Sequence, residues 1–149
     1  MQVGFASLWQ LGVAPVIRSL LVLLTLVLLA PSVSADEGKA ADKAYQACLD
    51  RADTTTAQLG CIDRAYKAWD KILNANYKAA MASLDHDNKK LLRQAQRDWL
   101  AYRDADRAFR GGSWSQGQGT IMTVILSGVD VEIVKARAQV LDSYGPLGE

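Results

Sequence analysis

Histidine and cysteine are scarce in this 149-residue chain: His86 stands alone, and Cys48 and Cys61 are the two cysteines. A lone histidine in a polar turn leaves Ser113, Ser115 and Ser127 without a base. One histidine and two cysteines expected to be oxidised cannot make a metal site. No glycine-rich phosphate loop follows a strand; Gly111 to Gly119 has the glycines without that context. Asp104 and Asp106 are two apart on a helix and diverge, so they are not a paired acid and base. The chain is therefore read as a non-enzyme with no cofactor. An excess of one charge is also lacking. Lys and Arg number 17 against 16 Asp and Glu, and losing Arg18 with the leader leaves 16 against 16. That balance gives no case for nucleic acid or an anionic membrane as partner. There is no internal repeat and no low-complexity linker.

Long apolar runs are missing too. Leu20 to Ala30 is too short for a membrane span. It follows Arg18, the only charge before Asp36, and Pro31 breaks it. Val33-Ser34-Ala35 supplies small residues at the −3 and −1 positions of a cleavage site. Residues 1–35 therefore read as a signal peptide cut after Ala35, with an uncleaved anchor as the rival. No cysteine near the cut supports a lipid anchor. Residues 36–149 make one domain in the periplasm or outside the cell, with no membrane span left after cleavage. Export suits a disulfide. A Cys48–Cys61 bridge would close a short loop worth about 3 kcal/mol in the chain-entropy model. Two free thiols are the alternative; the spacing is not that of a Cys-x-x-Cys redox site.

What remains is helical periodicity. Asp36 to Ala41 reads as a frayed start, and Tyr45, Cys48 and Leu49 mark a first helix to about Ala52. Thr55-x-x-Gln58 reads as a capping box opening a second helix to Leu84. Its stripe is Leu59, Ile62, Tyr66, Trp69, Leu73, Tyr77, Ala80 or Met81, and Leu84. The bridge then staples an antiparallel corner. Asp85 or Asp87 caps a third helix with Leu91, Leu92, Ala95, Trp99, Tyr102 and Phe109 as its stripe. Gly111-Gly112 ends it through a residue tolerant of positive φ. Ser113 to Gly119 is a loop carrying the exposed Trp114. Thr120 caps a fourth helix, for which a strand is the competing reading because the run is β-branched; Lys135 and Arg137 near its end favour helix. Tyr144-Gly145-Pro146 stops it. The predicted fold is all-α: a small antiparallel bundle of about four helices with one disulfide.

Polar residues beside the stripes are the candidates for function. Asn74 and Tyr77 share one face of the second helix, and Gln96, Trp99 and Arg103 one face of the third. A half-buried amide or guanidinium needs a partner. One reading is a structural network, Asn74 to Gln96 and Arg103 to Asp70 or Asp104. The other is a binding surface. Lys89, Lys90, Arg93, Arg97 and Asp98 read as a solvated face.

The order Leu73-Asn74-x-x-Tyr77, Leu92-x-x-x-Gln96-x-x-Trp99-x-x-x-Arg103-Asp104, Phe109, Gly119-Thr120 and Arg137-Ala138 resembles the lysozyme-inhibitor LprI family across nearly all of 36–149. Cys48 and Cys61 match that family's first cysteine pair. Where the family often has a second pair, this chain has Arg107 and Val129; where it often has a threonine, this chain has Val134. The resemblance implies an all-helical periplasmic or surface protein that binds and inhibits lysozyme by protein–protein contact. Without inhibition, the alternative is an envelope module binding another cell-envelope protein or peptidoglycan. Lysozyme is a cationic enzyme with two carboxylates in its cleft. Ser113-Trp114-Ser115-Gln116 and the turn from His86 to Lys89 are the candidate cleft-filling segments. Partner-binding candidates are thus Asn74, Tyr77, Gln96, Trp99, Arg103, Asp104, Ser113 and Trp114.

Overall fold

The structure, a computed structural model, describes residues 33–145, with side chains from Asp36. The leader to residue 32 lies outside the described residues. Four helices and no strand are present among them: α1 Val33–Leu49, α2 Thr55–Ser83, α3 His86–Arg110 and α4 Thr120–Asp142.

The helices alternate in direction. Asp42 of α1 accepts from Trp69 while Cys48 is bonded to Cys61, so rising numbers on α1 meet falling numbers on α2. Gln96 meets Arg137 and Arg110 meets Asp130, which makes α3 and α4 antiparallel. Trp69 lies by Lys135, and Asn76 by Ala138, so α2 and α4 run the same way.

That pair is the closest-packed in the molecule. Its seam consists of Ala65, Ile72, Leu73 and Ala80 on α2 with Val131, Val134, Ala138 and Leu141 on α4, all buried. Small residues on both helices let the backbones approach, and the branched side chains fill the grooves between them. Val134 is 0% exposed, so the methyl-for-hydroxyl departure at this position suits a site with no water. The β-branched run of α4 is helix because one of its faces closes this core; propensity yields to packing.

Several local expectations are corrected. The segment Asp36 to Ala41 is helical, not frayed, because Gly38 lies under the Trp69 ring and Asp42 is held by Trp69 and Lys135. α1 stops at Leu49 rather than Ala52, in turns closed by Arg51 N to Cys48 O and Ala52 N to Leu49 O. The N-cap of α2 is Thr54, not Thr55: its side chain accepts from Ala57 N at 3.2 Å. Asp85 caps α3, accepting from the backbone of Asp87 and Asn88. Gly111 ends α3 at φ −84°, so the left-handed region is not used there; Gly117 and Gly119 use it instead, at φ 91° and 82°. Gly119, without a side-chain bond, is the N-cap of α4, and Thr120 is its first residue.

The largest correction concerns α3. Leu91, Tyr102 and Phe109 are 68, 59 and 65% exposed, and Ala95 is exposed as well. The face turned into the bundle is Leu92, Gln96, Trp99, Arg103, Asp106 and Arg110. Long polar side chains therefore stand between α3 and its neighbours, and its backbone keeps further from α4 than α2 does. Arg110 anchors the far end. It donates to Asp106 Oδ2 at 2.8 Å, to Asp130 Oδ1 at 2.6 Å and to the Leu126 carbonyl at 2.7 Å. Arg107 donates to Asp130 Oδ2 at 3.1 Å and lies over the Tyr66 ring. Burial alone would lower the Arg110 pKa; the bonds and charges of Asp130 and Asp106 outweigh it and raise it. Arg107, one of the two positions where a second disulfide is common, thus ties α3 to α4 through the neighbour of the other, Val129.

Candidate functional site

Five of the eight predicted side chains share one feature. Asn74 and Tyr77 on α2, with Gln96, Trp99 and Arg103 on α3, line an open groove of about 290 Å³. Asp70, Arg93 and Arg97 complete its rim. They meet because the helices are antiparallel neighbours and each set repeats at three or four residues.

The hydrogen bonds differ from the expected network. Asn74 is exposed and turns back along its own helix, donating to the Asp70 carbonyl at 2.8 Å and to its carboxylate at 3.1 Å. It does not bond Gln96. Gln96 is 9% exposed, and its side-chain oxygen accepts from Arg137 Nε at 2.9 Å. Arg103 pairs with Asp104, as one of the two expected carboxylates, through Nε at 2.9 Å and Nη2 at 2.7 Å. Both Arg103 and Arg137 lie against the Trp99 ring, at 5.4 and 5.8 Å from its centre. The ring's negative face attracts these cations. Trp99 is thus fixed by two guanidiniums, and Arg103 is fixed at the groove with its charge partly met by Asp104.

Ser113 and Trp114 lie away from the groove, in the loop after α3; ten residues of helix separate Trp99 from Phe109, about 15 Å. Trp114 stacks on Phe109 with centroids 5.3 Å apart and planes 18° apart. Its indole N–H donates to the Phe109 carbonyl at 2.6 Å. Ser115 Oγ donates to Gly112 O and Gln118 Nε2 to Trp114 O, so the loop is braced from within while Ser113, Trp114 and Gln116 face water. Beneath it, the loop, the end of α3 and α4 line an open hollow of about 690 Å³ over Arg110, Ser127 and Asp130.

His86 is not part of a turn but the first residue of α3, with its side chain 81% exposed and 3.3 Å from Asp87. Among the described residues no three His, Cys, Asp or Glu side chains gather into a metal set.

The sequence reading missed two polar centres between helices, one buried and one half-exposed. Asn76 donates to the Ala138 carbonyl at 2.9 Å from inside the α2–α4 seam. Asp42 accepts from Trp69 Nε1 at 3.1 Å and from Lys135 Nζ at 2.7 Å, joining three helices. Asn76 could have been found from its phase, since Leu73, Asn76 and Ala80 step by three and four. The Asp42 centre has no local signal, because Lys135 is far away in sequence.

The model of the lysozyme inhibitor LprI family matches residues 36–141. The chain belongs to the LprI family. The match begins at the first residue after the expected cleavage point and covers all four helices except the start of α1 and the last residue of α4. The fold is similar to that of an uncharacterized protein from Burkholderia thailandensis, known from a crystal structure, with a TM-score of 0.64 and 25% identity. That likeness covers 70% of this chain and 52% of the other, so the LprI chain spans about half the length of that protein. No match emerged among curated proteins. No helix among the described residues is long and apolar enough to cross a membrane.

Proposed function

We propose that residues 36–149 form an exported protein that binds lysozyme and inhibits it by direct contact. The observation that carries this reading is the family match across 36–141. The segment best shaped to enter a cleft is Ser113 to Gln116, at the turn between α3 and α4. Its internal bonds hold it rigid, which lowers the entropy lost on binding. Trp114 is 44% exposed and offers an aromatic anchor. Calorimetric titration of hen lysozyme with the exported protein tests this. Saturable binding that Trp114→Ala weakens at least tenfold supports the loop; no heat at micromolar concentrations removes the reading.

The second reading is an envelope module that binds without inhibiting. The groove favours it. Arg93, Arg97 and Arg103 face Asp70 alone among its lining carboxylates, over Tyr77, Trp99 and Leu100. A concave, cationic, partly apolar surface suits a carboxylate-bearing partner such as peptidoglycan stem peptides or an acidic protein segment. Binding to isolated peptidoglycan that Arg97→Glu abolishes, with lysozyme turnover unaffected, would favour this second reading.

A further inference from the structure

α3 carries two seven-residue repeats one position apart. Leu92, Gln96, Trp99, Arg103, Asp106 and Arg110 advance by four and three in turn and face the bundle. Leu91, Ala95, Asp98, Tyr102, Ala105 and Phe109 advance identically, and all six are exposed. The seam turned to water is the more apolar of the two. An apolar four-and-three seam is what a helix uses to pack on another helix.

α4 also turns apolar side chains to water. Ile121, Ile125, Val129 and Val140 are 61, 54, 36 and 41% exposed, with exposed Ala136 between the last two. The two stripes lie on one side of the α3–α4 pair. Arg110 and Asp130 mark where the helices face each other. One residue back from each are Phe109 and Val129, turned by roughly 100°. Because the helices are antiparallel, the same backward step turns both side chains to the same side. Gln96 and Arg137 mark the facing positions at the other end. There Ala95 is again one step back, and Ala136 and Val140 lie on the corresponding part of α4.

We infer that this two-helix face is the contact surface between two copies of the chain. The exposed parts of its seven large apolar side chains come to roughly 700 Å², near the ~800 Å² each partner contributes to a standard interface. Monomeric proteins seldom leave that much apolar surface open. Its shape favours a second copy: the stripe is apolar apart from two acids, Asp98, already bonded to Gln94 at 2.8 Å, and Glu132, and it carries both the bulky Tyr102 and Phe109 and the small Ala95, Ala105 and Ala136. A two-fold axis would set each copy's stripe against its equal, with Tyr102 and Phe109 entering the hollows left by Ala95, Ala105 and Ala136. The groove with Arg93 and Arg97 is on the other flank of α3 and stays open.

Sedimentation equilibrium of the protein purified after export tests this. The expected mass at tens of micromolar is twice that of one chain. Tyr102→Glu with Ile125→Glu should halve it and raise the dissociation constant at least 100-fold, with the helical circular dichroism unchanged. Phe109→Ser with Val129→Ser probes the same face independently and should also give single chains. Arg97→Glu, on the other flank, should remain paired. A wild-type mass of one chain throughout, or either double variant remaining paired, overturns the inference.

Discussion

Gln96 of α3 accepts from Arg137 of α4, Oε1 to Nε at 2.9 Å, beneath the Trp99 ring that Arg137 also touches. Arg137 Nη2 is buried with no hydrogen-bond partner among the described residues, so Gln96 is the acceptor that makes its burial tolerable. Gln96→Leu should cost about 2 kcal/mol in urea denaturation, because it strips a second donor of its partner. Gln96→Glu keeps an acceptor and should cost less. If Gln96→Leu is neutral, the amide serves the groove and not the fold.

Asp130 receives both Arg107 and Arg110. Asp130→Ala would leave two guanidiniums beside α4 without their carboxylate. Arg110 is 9% and Asp130 19% exposed at the side chain, so part of the penalty for a buried pair applies. The expected loss is about 2 kcal/mol, read from the urea midpoint. Asp106→Ala should cost less, since Arg110 keeps Asp130 and the Leu126 carbonyl.

At Gly38 the backbone of α1 lies against the Trp69 ring of α2. A Cβ there would lie 2.8 Å from Trp69 Cη2, and Trp69 is 3% exposed with its indole N–H bonded to Asp42. The ring cannot yield without breaking that bond. Gly38→Ala should therefore destabilise by about 1–3 kcal/mol despite its better helix propensity. Gly60→Ala, which meets only the Arg64 guanidinium at 3.6 Å, should be neutral or stabilising. Thermal melts of the two variants side by side check the contrast.

Asp85 titrates below its usual value of 3.8, first because the Asn88 backbone N–H donates to it, then through the Asn88 side chain. A carboxylate lowered by folding adds stability that is full above the unfolded value and is lost as pH falls through the folded one. The stability difference between the wild type and Asp85→Asn should hold at neutral pH, begin to change near pH 3.8 and go on changing at lower pH as the folded carboxylate takes up its proton. Paired denaturation curves from pH 7 to pH 2 measure it.

These residues show why part of the fold was legible and part was not. α2 could be read because its inward positions are mostly apolar; Ile62, Trp69 and Leu73 stand out at helical spacing. The bridge could be read because the chain's two cysteines, thirteen apart, follow a segment that reads as a leader and have few other partners. α3 misled because its inward seam is built from Gln96, Trp99, Arg103 and Arg110, while Leu91, Tyr102 and Phe109 face out. Hydrophobic periodicity found a helix there but merged its two seams: Leu92 and Trp99 of the expected stripe face in, while Leu91, Ala95, Tyr102 and Phe109 face out. The groove was legible by residue kind and not by bonding: Asn74 and Gln96 do line it together, yet their partners, Asp70 and Arg137, depend on which rotamer and which neighbouring helix are nearest.

The measurement that bears most directly on this LprI protein is lysozyme turnover on a suspension of bacterial cell walls, followed by turbidity, as the exported chain is added. A dose-dependent loss of clearing that saturates near one chain per enzyme, and that Trp114→Ala weakens at least tenfold, is the predicted result. Undiminished clearing at a micromolar excess of folded protein would contradict it.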